Sequence, residues 1–264
     1  MIGNGTTMNE WKTRELMCEI GRRIYNKGFA AANDGNISIR LDDNSILTTP
    51  TGVSKGILTE EDLIVCDLQG QKLFGCRERT SEIGMHLTIY QVRPDVRAVV
   101  HAHPPVATGF AAAGRPLNVA LPPEVVIGLG SIPLAEYGLP GTPALTEGML
   151  EYVPKYDAML LANHGVVAYG EDAFQALSRM EVVEHFARIT LVAELLGGPR
   201  ALPRVEVQKL FDSRPRYNVK SRNSMEAGAP LTAEDLPEPS EKIEITREQL
   251  LSIIDEALRV RGVV

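Results

Sequence analysis

The valine-rich run at residues 96 to 100 constrains the fold of this chain more than any other stretch, because it ends directly in His101-Ala102-His103. A short run of this kind is typical of a buried strand. Side chains two positions apart on a strand point to the same face, so His101 and His103 should project together, about 6 to 7 Å apart. This separation suits two imidazoles that meet one metal ion, although two histidines also come together at a strand end by chance.

Two further residues extend this pattern. His164 follows a second apolar run at residues 158 to 162, and Glu82 stands at the expected start of a helix that ends near Val92. Each has a simpler interpretation, because a lone histidine is often a satisfied core residue and a carboxylate in a first helical turn is favoured by the helix dipole. Together, three imidazoles and a carboxylate predict a site for a divalent metal such as zinc, of the open kind that is typical of catalysis.

Four sequence segments occur in a specific order along the chain. They are GNISIR at 35 to 40, TPTGVSKG at 49 to 56, TSE at 80 to 82 with HAH downstream, and ANHGVVAYG at 162 to 170. In this order they resemble the class II aldolase/adducin family, above all its bacterial sugar-phosphate aldolases of the L-fuculose-1-phosphate type. The resemblance covers roughly residues 10 to 200. It implies an α/β fold of three layers, with a largely antiparallel central sheet covered by helices, and a C4 homotetramer with active sites between subunits.

The resemblance also assigns roles to particular residues. It implies that His101, His103, His164 and Glu82 bind Zn²⁺, that the metal stabilises an enediolate, and that Glu82 also moves protons. The positions that match the family's phosphate site are Asn36, Thr51, Gly52, Thr80 and Ser81. Without the resemblance, these five positions would be interpreted as ordinary turn and capping residues. The implied reaction cleaves a deoxyketose 1-phosphate, such as L-fuculose 1-phosphate, into dihydroxyacetone phosphate and a lactaldehyde-type aldehyde.

One departure from the family concerns the second proton donor. The fuculose-phosphate enzymes have a tyrosine in the segment that matches residues 120 to 125, where this chain reads ALPPEV. Glu124, Tyr137 and Tyr217 are the candidate substitutes. The substrate therefore stays open among fuculose, rhamnulose, 5-deoxyribulose and methylthioribulose 1-phosphates. The alternatives in function are a metal-dependent sugar-phosphate dehydratase or decarboxylase, and a non-catalytic adducin-like binding module.

The chain is expected to have four parts. Residues 1 to 200 form the catalytic domain, and residues 201 to 226 form a tail that covers the active site. A Pro-rich acidic linker follows at 227 to 242, and an amphipathic helix at 243 to 264. Because a short isolated helix is marginal in water, residues 243 to 261 should either pack on the tetramer or dock, as an encapsulation peptide, on a shell protein of a bacterial microcompartment.

Composition excludes some function classes and leaves others. The net charge of −7 argues against general nucleic-acid binding and requires that an anionic substrate be held by local groups. Three cysteines without CxxC spacing indicate a reducing compartment without a disulfide framework. The sequence shows neither an apolar leader nor a long apolar run, so no membrane segment is predicted and the expected location is cytoplasmic, either free or inside a microcompartment.

Three local expectations complete the sequence-based prediction. Lys55 is expected to be a solvated turn lysine rather than a Schiff-base lysine. His185 should be a structural or surface histidine on the long helix after Gly170. Residues 117 to 135 are expected to contain two short strands.

Overall fold

The computed structural model describes residues 8–220, 222–225 and 228–236. Its helices are α1 (Met8–Asn26), α2 (Ile83–Val92), α3 (Pro105–Ala112), α4 (Pro123–Gly128), α5 (Pro143–Met149), α6 (Ala173–Leu195) and α7 (Arg204–Ser213). Its strands are β1 (Asn36–Arg40), β2 (Ser45–Thr48), β3 (Ile64–Asp67), β4 (Lys72–Phe74), β5 (Ala98–Ala102), β6 (Leu134–Ala135), β7 (Ala158–Leu161) and β8 (Gly165–Gly170). A boundary between two compact units falls after Ala233, and the amphipathic segment at 243 to 264 lies outside the described residues, as do positions 237 to 242 of the expected linker.

A single sheet organises the first unit. Its eight strands run in the order β4-β3-β2-β1-β5-β8-β7-β6. The only parallel pair among these strands is β6 with β7, so the expectation of a largely antiparallel sheet is confirmed. The valine-rich strand β5 lies between β1 and β8, where Asn36 pairs with His101 and Val166 pairs with Ala102.

Helices cover both faces of this sheet. Alternate residues of a strand point to opposite faces, and β5 divides accordingly. Val100 packs in a core with α1, α3 and α6, whereas Val99 packs in a second core with α2 and α5. The three-layer α/β architecture expected from the sequence is therefore confirmed.

Residues 117 to 135 were expected to form two strands, and this expectation is wrong in part. Leu117 and Ile132 form an isolated bridge and β6 follows, but the segment between them holds α4. Pro123 stands at the first helical positions, where proline fits a helix start because its missing N–H has no partner there. The apolar residues of α4 then pack inward at Val125 and Val126.

The segment after the long helix also carries structure that the sequence did not predict. Helix α7 lies against α4, and Val207 and Phe211 of α7 pack in a small core with Ala120 and Val126. The tail therefore contributes apolar contacts to the first unit, and its role as a cover for the active site stays a prediction. In the described part of the chain, no helix combines the length and apolar character needed to cross a bilayer.

Candidate metal centre and active site

Three histidines meet at one end of the sheet. His101 lies on β5, His103 follows that strand, and His164 lies in the turn that joins β7 to β8. Because β8 pairs with β5, this turn is brought beside the end of β5. The ring centroids lie 4.7 to 5.3 Å apart in the three pairs, and one ligand nitrogen from each ring lies within 4.8 Å of the others.

Glu82 faces this cluster from the helix layer. It is the N-cap residue of α2, which packs on the same face of the sheet as the side chain of His101. Its Oε1 lies 3.2 Å from His164 Nε2, and its Oε2 lies 3.4 Å from His101 Nε2. The fold thus brings together four residues that are spread over more than 80 positions of sequence.

The nitrogen atoms of the cluster are arranged as a cation site. His101 donates its Nδ1 proton to the carbonyl of Val166 over 2.9 Å, and His103 Nδ1 lies 3.4 Å from the carboxylate of Asp34. When each ring carries a single proton on Nδ1, the two Nε2 atoms are both acceptors, and they lie only 3.2 Å apart. Two acceptors at that distance repel unless a cation lies between them.

The environment of these side chains favours binding of a metal ion over protonation of the histidines. Burial, followed by the neighbouring His164 and His103, lowers the pKa of His101 well below its ordinary value of 6.5, so the ring is neutral at physiological pH. Two buried atoms of the site, Glu82 Oε1 and His164 Nδ1, have no hydrogen-bond partner in the described residues. The residues present therefore fit a divalent metal, and three imidazoles with a carboxylate suit zinc.

Two turns and a helix start carry the residues predicted to bind phosphate. An isolated bridge between Pro50 and Arg79 holds the two segments side by side, and Thr51 N donates to Glu78 O over 3.0 Å. Gly52 has a φ of 73°, a left-handed conformation that glycine adopts without strain. Thr51, Gly52 and Ser81 are exposed, so the hydroxyl groups of Thr51 and Ser81 can reach a ligand, whereas the Thr51 N–H is already bonded to Glu78.

The other two predicted phosphate ligands are buried. Thr80 is 4% exposed, and its Oγ1 accepts a bond from the Glu82 N–H over 3.3 Å. Asn36 is also 4% exposed and donates from Nδ2 to Glu82 Oε2 over 2.8 Å. The Asn36 amide nitrogen carries two hydrogens, so this bond leaves one of them for another acceptor.

Lys55 is not the solvated lysine that the sequence led us to expect. It is 1% exposed, and its ammonium donates to the carbonyl oxygens of Asn33 and Val53 over 2.9 and 2.8 Å. Burial lowers the pKa of Lys55 to about 8. Because Asn33 and Val53 lie in the turns next to Asn36 and Gly52, Lys55 ties together the two turns predicted to hold the phosphate.

The three candidate proton donors are exposed residues. Glu124 is exposed and lines a cavity with Glu171, Arg179 and Lys220. Tyr137 and Tyr217 are 59% and 58% exposed. Among the residues that the structure describes, neither a hydrogen bond nor an ion pair joins any of the three candidates to the histidines.

Other buried polar residues near the site were not singled out by the motifs. His86, Ser38 and Tyr90 form a hydrogen-bonded group behind Asn36. The available signal was spacing, because His86 stands four positions after Glu82 on α2 and Ser38 stands two positions after Asn36 on β1. His185, by contrast, is exposed on α6, as expected.

The comparisons with known proteins agree with this fold and site. Residues 15–191 match the model of the Class II Aldolase and Adducin N-terminal domain. The chain therefore belongs to the class II aldolase/adducin family.

The relatives are named for two different activities, decarboxylation and aldol cleavage. The chain is 36% identical over 186 residues to a 3-oxo-tetronate 4-phosphate decarboxylase of Haemophilus influenzae, a match that covers 69% of this chain and 88% of the relative. It is 37% identical over 174 residues to an L-fuculose phosphate aldolase of Methanococcus maripaludis, covering 66% and 93%. A solved L-fuculose 1-phosphate aldolase superposes with a TM-score of 0.72 at 29% identity, covering 76% of this chain and 95% of the other.

Proposed function

We propose that this protein is a zinc-dependent lyase that cleaves a carbon–carbon bond of a phosphorylated sugar. The reaction that we favour is aldol cleavage of a deoxyketose 1-phosphate, such as L-fuculose 1-phosphate, into dihydroxyacetone phosphate and a lactaldehyde-type aldehyde. The observation that carries the proposal is the convergence of three imidazoles with the carboxylate of Glu82, whose Oε1 has no hydrogen-bond partner in the described structure. This convergence favours an enzyme over a non-catalytic binding module.

His101, His103 and His164 would hold the metal through ring nitrogens that face one another. When bound, zinc supplies a Lewis acid that stabilises negative charge on the sugar's carbonyl oxygen. The protein fixes the rings for this task, since His101 is held by the carbonyl of Val166 and is fully buried. Neutral rings are the form that binds a metal, and the burial that lowers the pKa of His101 maintains that form.

Glu82 is the proposed proton carrier. In the cleavage direction the C3–C4 bond breaks, and the electron pair left on C3 takes up a proton to complete dihydroxyacetone phosphate. In the addition direction a base removes that proton again. The free Oε1 of Glu82 lies beside the histidines, where the carbonyl end of the substrate would be held.

The phosphate would be held by Asn36, Thr51, Gly52, Thr80 and Ser81. Backbone N–H groups in a glycine-containing turn and at the start of α2 are suitable donors for phosphate oxygens. The buried ammonium of Lys55 supports this placement, because it adds a positive charge and fixes both turns in place.

The aldehyde oxygen needs a second proton donor in the addition direction, and we propose that it comes from Glu124, Tyr137 or Tyr217. Since none of these side chains bonds to the cluster within the described part of one chain, the donor would come from a neighbouring subunit. This requirement supports the homotetramer with active sites between subunits.

Decarboxylation is the second candidate reaction. It is favoured by the relative named as a decarboxylase, which is 36% identical over 186 residues. A decarboxylase also has no aldehyde oxygen to protonate, which suits the absence of tyrosine between residues 120 and 125.

Product analysis distinguishes the two reactions. The purified full chain would be offered fuculose, rhamnulose, 5-deoxyribulose and methylthioribulose 1-phosphates in one set of assays and 3-oxo-tetronate 4-phosphate in another. Release of dihydroxyacetone phosphate with an aldehyde supports the aldolase. Release of carbon dioxide together with dihydroxyacetone phosphate, and without an aldehyde, from 3-oxo-tetronate 4-phosphate would replace it by the decarboxylase. Turnover of neither substrate class would reject both.

Residues 243 to 261 carry a separate proposal. Their amphipathic sequence pattern would dock on a microcompartment shell protein, or else pack on the tetramer. Deleting these residues should abolish co-sedimentation with shells and leave cleavage unchanged. If the deletion changes neither shell association nor assembly, the docking role is wrong.

A further inference from the structure

A line of buried hydrogen bonds leads from Glu82 away from the histidines. Asn36 Nδ2 donates to Glu82 Oε2 over 2.8 Å, and Asn36 Oδ1 lies 2.5 Å from His86 Nε2. His86 Nδ1 lies 2.6 Å from Ser38 Oγ, which lies 2.9 Å from the hydroxyl of Tyr90. Ser38 and His86 are fully buried, and Asn36 and Tyr90 nearly so. We call Asn36, His86, Ser38 and Tyr90 the Glu82 support chain.

The spacing of these residues explains how they meet. Asn36 and Ser38 stand two positions apart on β1 and share a face. Glu82, His86 and Tyr90 stand four positions apart along α2 and its N-cap, which places them on one side of the helix. When α2 packs on the sheet, the two rows of polar side chains interlock.

A carboxylate at Glu82 is compatible with only one direction of the bonds in the support chain. A carboxylate only accepts hydrogen bonds, so the Asn36 amide must turn its nitrogen toward Glu82 and its oxygen toward His86. His86 must then carry its proton on Nε2, which leaves Nδ1 as an acceptor for the hydroxyl of Ser38. The Ser38 oxygen in turn accepts from Tyr90.

His86 is suited to this task because it does not take up a second proton. Burial lowers the pKa of His86 to about 3. The ring therefore stays neutral across the physiological range, with one donor nitrogen and one acceptor nitrogen in fixed places.

We propose that His86 is a positioning residue for the reaction, which holds the Asn36 amide in the one orientation that donates to Glu82. This inference rests on the proposed role of Glu82 in proton transfer. Oxygen and nitrogen of a side-chain amide have nearly the same shape, so packing alone does not select between the two orientations. A flipped Asn36 would place its oxygen against the carboxylate and push Glu82 out of position.

Two substitutions at His86 separate positioning from space filling. His86→Leu removes both ring nitrogens, whereas His86→Gln retains an amide N–H that reaches the place of Nε2. We expect His86→Leu to lower kcat about 10- to 100-fold, the usual effect of losing a partner that orients a site residue, with little change in KM. His86→Gln should recover most of the activity, and zinc content should equal that of the wild type in both. His185→Leu, at an exposed position of α6, is the matched control.

A spectroscopic measurement tests the direction of the support chain without any substrate. In zinc-loaded full-length protein labelled with ¹⁵N-histidine, the His86 signals are those that disappear in His86→Gln. We expect couplings to the ring protons to show the proton on Nε2, with signals that do not change across neutral pH. A proton on Nδ1 would reverse the chain and overturn the proposal, even if no cleavable substrate has been found.

The experiments distinguish a failure of the proposed function from a failure of the positioning role of His86. If the Nε2–H form is found and no substrate is cleaved, the support chain stands and the proposed function fails. If a substrate is cleaved and His86→Leu keeps the wild-type kcat, or His86→Gln loses as much as His86→Leu, the function stands and the positioning role is wrong. Should His86→Leu fail to fold, Ser38→Ala takes its place, because it removes the donor to Nδ1 and should also lower kcat at unchanged zinc content.

Discussion

At the scale of single residues, the two oxygens of Glu82 have different surroundings. Oε2 accepts the amide proton of Asn36, whereas Oε1 has no hydrogen-bond partner in the described structure and lies 3.2 Å from His164 Nε2. One oxygen is thus held by the protein, and the other is free of hydrogen bonds in the described structure. Under the proposed function, this asymmetry would let a single carboxylate serve as both a ligand and a proton carrier.

Replacing Glu82 by glutamine tests whether its carboxylate carries the proton. Glu82→Gln keeps the shape but removes the charge and the basicity, so we expect kcat to fall about 10²- to 10⁴-fold, as for the loss of a general base. Three imidazoles remain, so zinc should still bind with a stoichiometry near that of the wild type. Elemental analysis and steady-state kinetics measure both quantities. Activity close to that of the wild type would show that another group moves the proton.

Lys55 gives a prediction for stability against pH. Its pKa is about 8 in the folded protein, below the ordinary 10.5. Between these values the unfolded chain holds a proton that the folded chain has released, so the contribution of Lys55 to stability rises with pH in this window. The free energy of unfolding of the wild type minus that of Lys55→Met should therefore increase from pH 8 to pH 10.5, by up to about 3 kcal/mol.

Urea unfolding at a series of pH values measures this difference. Lys12→Met, on the exposed side of α1, is the matched control for loss of a lysine charge. A difference that stays flat or falls across the window would mean that Lys55 is not held neutral by burial at alkaline pH.

At the scale of elements, the close approach of β8 to the end of β5 sets the position of His103. A Cβ built on Gly165 would overlap the ring of His103 and would lie 2.7 Å from the carbonyl oxygen of Ala102. Gly165→Ala should therefore displace His103 and weaken zinc binding, on the order of tenfold or more. Gly109→Ala on α3, where a Cβ meets nothing within 4 Å, is the control. Competition with a chromogenic chelator measures the affinity, and equal affinities in the two variants would contradict the geometry.

The packing of α7 on α4 gives a second prediction at this scale. Val207 is fully buried in the small core with Ala120 and Val126, whereas Val205 is 58% exposed. Val207→Ala should cost about 1 to 3 kcal/mol of unfolding free energy, and Val205→Ala within about 0.5 kcal/mol of zero. Urea unfolding at fixed zinc concentration compares them. Equal effects would mean that α7 does not pack as described.

The elements that were predicted correctly are those in which apolar residues recur at a clear helical or strand spacing. Helices α1 and α6 show apolar residues at helical spacing, and β5 is a short valine-rich run between turn signals. The segment of α4 was predicted as strand because six residues are too few to tell a helical repeat of 3.6 residues from a strand repeat of two. Helix α7 was not predicted because its sequence is rich in charged residues and contains few apolar residues to reveal a helical repeat.

At the scale of the whole molecule, the same reasoning explains which parts of the candidate site could be foreseen. The spacing of His101 and His103 on one strand is a local pattern, so their proximity is readable from the sequence. The burial of Lys55 and the contact of His86 with Asn36 depend on segments 22 and 50 positions apart. Residue type does not reveal such partners, because a lysine in a turn or a histidine in a helix most often faces solvent or fills a core.

The most direct test of the metal-dependent lyase is activity as a function of zinc content. The full chain would be stripped with chelator and titrated with zinc, and release of dihydroxyacetone phosphate from fuculose, rhamnulose and 5-deoxyribulose 1-phosphates would be followed. We expect negligible cleavage in the stripped protein and a linear rise that ends at one zinc per chain, with His101→Ala unable to recover. Cleavage that survives complete removal of metal, or a zinc-loaded protein that cleaves no carbon–carbon bond in these sugars or in 3-oxo-tetronate 4-phosphate, would contradict the account.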